Sequence, residues 1–177
     1  MNPATQGATA KTAAEICARF ELDAEAKPLL RDGITPPDFL AAVIKSGNYA
    51  AAIDFIAHAL PPRDAIWWGC LCLQHAVGDK MSAADRTAAS AAVQCLTQPT
   101  AESRAAAKAA AEPADPLSPA SALALAASQT GGPPFASAKS AARAVKLACI
   151  KTEPANISRT QRSYIELGVD IAQGRFQ

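Results

Sequence analysis

Large side chains are scarce in this chain. Aromatic residues occupy 5% of its 177 positions (five Phe, two Trp, two Tyr), and there are only two His and two Met. Alanine supplies much of the apolar content, with high helix propensity but little area per side chain, so helices have to pack closely around a thin core. An excess of one charge is also missing, since 17 Lys and Arg stand against 16 Asp and Glu for a net charge of +1. That excludes a global basic field able to hold nucleic acid or anionic lipid by counterion release, and neither is expected as a partner. No apolar run reaches bilayer length. The most apolar segment, residues 65–77, is bounded by Arg63–Asp64 and Asp79–Lys80, so no membrane span is expected. "MNPATQGATAKTAAE" lacks the basic stretch and apolar run of a secretory signal. The five cysteines are odd in number and sit in apolar helical patterns. Free buried thiols in a reducing compartment follow, and a cytoplasmic location is the expectation.

Period-two alternation is absent too, which argues against a sheet, whereas helix punctuation is everywhere. "TAAE" at 12–15 is a capping box, predicting a helix to about Leu22. "DAEAKPLLRDG" allows a short helix stopped by Gly33. Thr35 caps a helix running from Pro36 to Lys45, and Gly47 separates it from "NYAAAIDFIAHAL", which ends at Pro61–Pro62. Further helices are predicted at 63–78, from the Ser82 cap to about Gln98, from the Thr100 cap to Pro113, and at 119–129, 137–151 and 155–173. "PADPLSP" and "TGGPP" read as turns. At this length one domain suffices. The expected architecture is all-α: an irregular antiparallel bundle of about eight or nine helices with local helical-repeat-like hairpins. Residues 1–10 read as a disordered tail and 11–175 as a single helical domain. The Pro- and Ala-rich stretch 99–136 is the candidate linker or mobile subdomain.

"AIWWGCLCLQHAV" (65–77) concentrates both tryptophans, two cysteines and a histidine. Helical geometry sorts it into faces. Ile66, Cys70, Leu73 and Val77 form an aliphatic stripe, and Ala65, Gly69, Cys72 and Ala76 a flat stripe of small residues. Asp64, Trp68, Leu71, His75 and Asp79 form a third. Apolar groups on most sides predict a central helix, and the small stripe a closely approaching neighbour. Cys70 and Cys72 project about 160° apart, so they cannot share an ion or a disulfide. Cys72 and His75 could face one metal, but two more ligands are needed. The remaining histidine, His58, shares a stripe with Asp54 that reads as solvent-facing. No metal, cofactor or catalytic residue is therefore assigned. His75 reads as a partly buried, hydrogen-bonded side chain near Trp68 and an acid. Two adjacent Trp in a thin core leave one able to anchor a partner, so Trp67, Trp68 and His75 are the candidate partner-binding residues.

Elsewhere, Lys139, Arg143 and Lys146 align at i, i+4, i+7 and read as a solvated basic face, with binding of an anion, a nucleic acid or an acidic partner as the lesser alternative. In the last helix Ile157, Tyr164, Gly168 and Ile171 point inward, with Arg162 and Glu166 an outward i,i+4 pair. On "IWWGCLCLQHA" and "TQRSYIELGVDIAQGRF" the chain resembles an uncharacterised bacterial family of short Ala/Pro-rich proteins, over most of its length after about residue 14. Members look like accessory components of secretion or effector loci, type VI systems in particular. That resemblance brings no fold and no residue role. The expectation is a non-enzymatic protein–protein interaction module, an adaptor, chaperone or scaffold binding another protein. The alternative is a small-molecule-binding or enzymatic helical domain using the Trp67–His75 helix.

Overall fold

Among the described residues, a hydroxyl or amide side chain starts six of the nine α-helices. Thr12, Thr35, Asn48, Ser82, Thr100 and Ser118 each accept a backbone N–H of the first turn, which satisfies one of the donors that a helix start leaves unpaired. The computed structural model describes residues 12–113 and 115–175. The predicted tail at 1–10 lies outside them. In chain order the helices are α1 (Ala13–Cys17), α2 (Pro36–Lys45), α3 (Tyr49–Ala59), α4 (Pro62–Val77), α5 (Ala83–Thr97), α6 (Ala101–Ala111), α7 (Pro119–Ser128), α8 (Ala136–Cys149) and α9 (Ile157–Ala172). Single 3-10 turns interrupt the connections at Lys27–Leu29, Gly78–Lys80 and Pro154–Asn156. No strand occurs among the described residues, and no helix there is long and apolar enough to cross a membrane. The protein is an all-α bundle.

Two groups of helices meet on a central pair. α5, α6 and α7 pack on one side, α1, α2, α3 and α9 on the other, and α4 and α8 form the seam between them. α7 is the most enclosed element. Eight of its ten residues are buried, and it touches α4, α5, α6 and α8. The stretch 99–136, expected as a linker or mobile subdomain, therefore holds α6 and a helix of the core. Its Pro and Ser positions are caps and hydrogen-bonding groups. Ser118 caps α7 and donates to the Asp85 carboxylate on α5. Ser121 donates to the Ala111 carbonyl at 3.0 Å, and Ser137 of α8 to that of Ala126 at 2.8 Å. Composition alone cannot separate such a helix from a linker, because alanine carries too little area to mark a core.

Small residues set how close the helices come. An atom at the Cβ position of Gly69 would lie 2.4 Å from Leu123 Cδ2 of α7, so the flat stripe of α4 is where α7 approaches. At Gly168 of α9, a Cβ would lie 2.7 Å from Ile56 Cγ2 and 3.0 Å from Trp68 Cε2. Three sequence expectations need correction here. α1 ends at Cys17, not near Leu22, and 23–33 keeps only one 3-10 turn. The chain leaves α1 early, and Arg19 and Phe20 turn onto α3. Arg162, expected to pair with Glu166, instead donates Nε–H to the Tyr49 hydroxyl at 2.6 Å with its guanidinium over that ring.

Gly168→Ala is expected to destabilise the protein by about 1–3 kcal/mol through overpacking, although alanine is the better helix former by about 1 kcal/mol. The indole beside it is rigid and fully buried, so it has no room to yield. A thermal or urea unfolding curve gives the sign.

Candidate functional site

The two tryptophans of α4 have separate fates. Trp68 is fully buried and its indole N–H donates to the Tyr164 carbonyl of α9 at 2.8 Å. Trp67, about 100° away around the axis, is 43% exposed. Trp68 is thus a core residue and is corrected as a partner-binding candidate, because no partner can reach it. His75 is exposed at the helix end. Its Nδ1 lies 3.0 Å from the Tyr164 hydroxyl, which itself donates to the Cys72 carbonyl at 3.1 Å. With the phenol hydrogen committed to Cys72, His75 supplies the Nδ1–H. A tyrosine, and not an acid, is its partner.

α4 is unbroken from Pro62 to Val77, so its sulfurs scatter around the axis. All five thiols are free. Burial pushes the Cys17 thiol up to about 11, Cys70 and Cys149 to about 12, and Cys72 higher still. A thiol without a thiolate is a weak nucleophile and a poor ligand. Among the described residues, no group of three or more His, Cys, Asp or Glu is arranged to hold a metal ion.

A separate concavity lies between the segment after α1, α3 and the start of α8. His58 is not solvent-facing: it is only 3% exposed. The chain folds α1 and α8 over the α3 face that carries it. Phe20 stacks on its ring with centroids 4.9 Å apart, Arg19 donates to its carbonyl at 2.9 Å, and the Phe135 ring stands 6.4 Å away, tilted. The Arg19 guanidinium lies 5.5 Å from the centre of the Phe135 ring. Nδ1 faces the Asp54 carbonyl at 2.8 Å. A carbonyl only accepts, so Nδ1 carries the proton and Nε2 a lone pair. Burial holds the imidazole below its usual pKa, with the Asp54 carbonyl and carboxylate opposing, and it is neutral at pH 7.

Phe135 is the one non-glycine among the described residues with positive φ, at 63°. It occupies the N-cap of α8 without a capping group, and its ring is 46% exposed. The basic stripe is only partly solvated. Lys146 is 2.7 Å from Asp54, and Arg143 donates to the Pro116 carbonyl at 2.8 Å. These residues with Lys139 line a cleft of about 850 Å³. Sequence reasoning missed His58 and Phe135. The available signal was "GGPPF" ahead of a strong helix with no Ser, Thr, Asp or Asn to cap it.

What fold and site define together is a helical bundle with one exposed tryptophan and one aromatic, basic cleft. The chain belongs to a family of unknown function, DUF6931, whose model matches residues 39–172, covering the whole of the first motif that carried the resemblance and the second as far as Ala172. The comparisons with curated proteins and with solved structures give no match.

Two measurements follow. Phe135→Gly and Phe135→Ala both remove the ring, but only the alanine keeps a left-handed backbone on a residue with Cβ. The glycine variant is expected to be the more stable of the two by about 1 kcal/mol; equal stabilities would mean that the turn relaxes. At about pH 8 a thiol reagent is expected to label the native protein far more slowly than the denatured one, in which all five cysteines react. A fast-reacting native thiol would identify an activated cysteine.

Proposed function

We propose that this protein is a non-enzymatic protein–protein interaction module, an adaptor, chaperone or scaffold, and that it meets its partner across α4 and α5 around Trp67. The observation that carries this reading is the 43% exposure of Trp67 on a helix whose next residue is completely enclosed. Large, stiff and amphipathic, tryptophan is the side chain most enriched at binding hot spots. A mixed groove of about 500 Å³ lies between α4 and α5, its apolar part formed by Cys70, Leu73, Met81 and Val93 and its charged part by Asp79 and Arg86. Cys70 and Gln74 stand one and two turns beyond Trp67 on the same side of α4. Val93 is itself 40% exposed. A partner's amphipathic helix has the chemistry to fill this groove, with the indole as anchor.

Protonated thiols on the same helix support a binding role over a chemical one. Trp68 fixes the α4 backbone through α9, so the exposed indole is presented in one orientation and loses little freedom on binding. Within this reading, the bacterial resemblance suggests a cytoplasmic accessory of a secretion locus as the setting.

Trp67→Ala is expected to leave the fold intact, as an exposed position should, and to weaken partner binding about thirtyfold or more. The check is co-purification from native lysate, wild type beside variant, with circular dichroism on both. A wild-type chain that elutes alone, or a variant that retains its partner in full, would remove the proposal.

A further inference from the structure

We infer that the cleft between the segment after α1, α3 and the start of α8 binds a small organic anion, an oxyanion head group joined to an apolar body. Its volume, about 850 Å³, suits a small ligand. Four cations line it, Arg19, Lys139, Arg143 and Lys146, against two acids, Glu21 and Asp54. Asp54 is committed to Lys146. Among the described residues the Lys139 ammonium has no hydrogen-bond or ion-pair partner. It stands on the first turn of α8, where the N–H groups of Ser137 and Ala138 also lack acceptors. Unpaired N–H groups at a helix start, with the positive end of its dipole, favour an oxyanion.

His58 supplies the independent observation. Its side chain is 97% removed from solvent, yet Nε2 has no partner among the described residues, whereas Nδ1 has one. No fully enclosed side-chain nitrogen or oxygen is left unpaired there, so Nε2 is not sealed, and the ring lines both this cleft and a smaller one that adjoins it at Arg19, Gln129 and Phe135. Phe20, Leu125, Pro134 and Phe135 give the same cleft an apolar wall. Phe135 holds its ring there with a left-handed backbone that is strained for an aromatic residue, and strain of this kind collects at functional sites.

Protonation is linked to occupancy. The charged groups facing His58 are Asp54 on its own helix, Arg19 from the segment after α1, and Lys146 from α8. Neutral Nε2 offers a lone pair and opposes an oxyanion, while the imidazolium donates to it. A bound anion therefore raises the imidazole pKa from its depressed value, and affinity grows as pH falls.

The test uses the two imidazoles of the full chain, with His75 as internal control for His58. Their NMR signals are followed during titration with benzoate, phenyl phosphate and inorganic phosphate at constant ionic strength. The expected result is a saturable His58 shift with benzoate or phenyl phosphate, whichever head group fits, and an upward move of its pKa, with His75 unmoved. Lys139→Gln should weaken binding about threefold to tenfold, and Phe135→Gly should weaken the aryl anions more than inorganic phosphate. A His58 that ignores all three anions, a shift common to both histidines, or full binding by Lys139→Gln would overturn the assignment. Inorganic phosphate binding as tightly as phenyl phosphate would overturn its apolar half. The cleft shares no residue with the Trp67 groove, so either proposal can fail alone.

Discussion

The indole N–H of Trp68 crosses the bundle to the Tyr164 carbonyl, 96 residues further along the chain. Around this contact α9 offers Gly168, whose missing side chain is the space the indole fills. Tyr164 then turns its hydroxyl back to the Cys72 carbonyl and meets His75. One aromatic pair thus fixes α4 against α9 in position and in rotation. The rotation decides everything that α4 shows to solvent. With Trp68 locked inward, Trp67 has to point out, Cys72 is sealed and Gly69 faces α7.

The opposite side of α4 is governed by alanine. α7 and α8 bury almost only Ala, Ser and a few Leu and Val residues, so their backbones come near enough for serine hydroxyls to reach carbonyls on neighbouring helices. Those bonds satisfy polar groups that close packing would otherwise strand. The scarcity of large side chains and the density of small-residue contacts have the same origin: a core made of little area per residue must be made of short distances.

Helix starts were legible because caps are local. Thr35, Ser82 and Thr100 announce their helices with hydroxyls whose role depends on a few neighbours. The small stripe of α4 and the inward face of α9 were also legible, since each is a matter of period. Three things were not. α7 lacks bulky residues, and its burial comes from four other helices. His58 lies on a polar-looking stripe, but Arg19 and Phe20 arrive from 39 and 38 residues earlier to cover it. The divided roles of Trp67 and Trp68 depend on which face α9 selects. In each case the deciding atom belongs to a distant part of the chain, which no window of local sequence contains.

The span between Trp68 and its carbonyl also governs how the molecule is born. Ribosomes add roughly 5–20 residues per second, so α4 leaves the exit tunnel several seconds before the helix that locks it. During that interval both indoles of the growing polypeptide are bare, side by side, on a helix with no lid. The nascent chain therefore bares an indole that the finished one encloses, and α9 is the helix that closes over it.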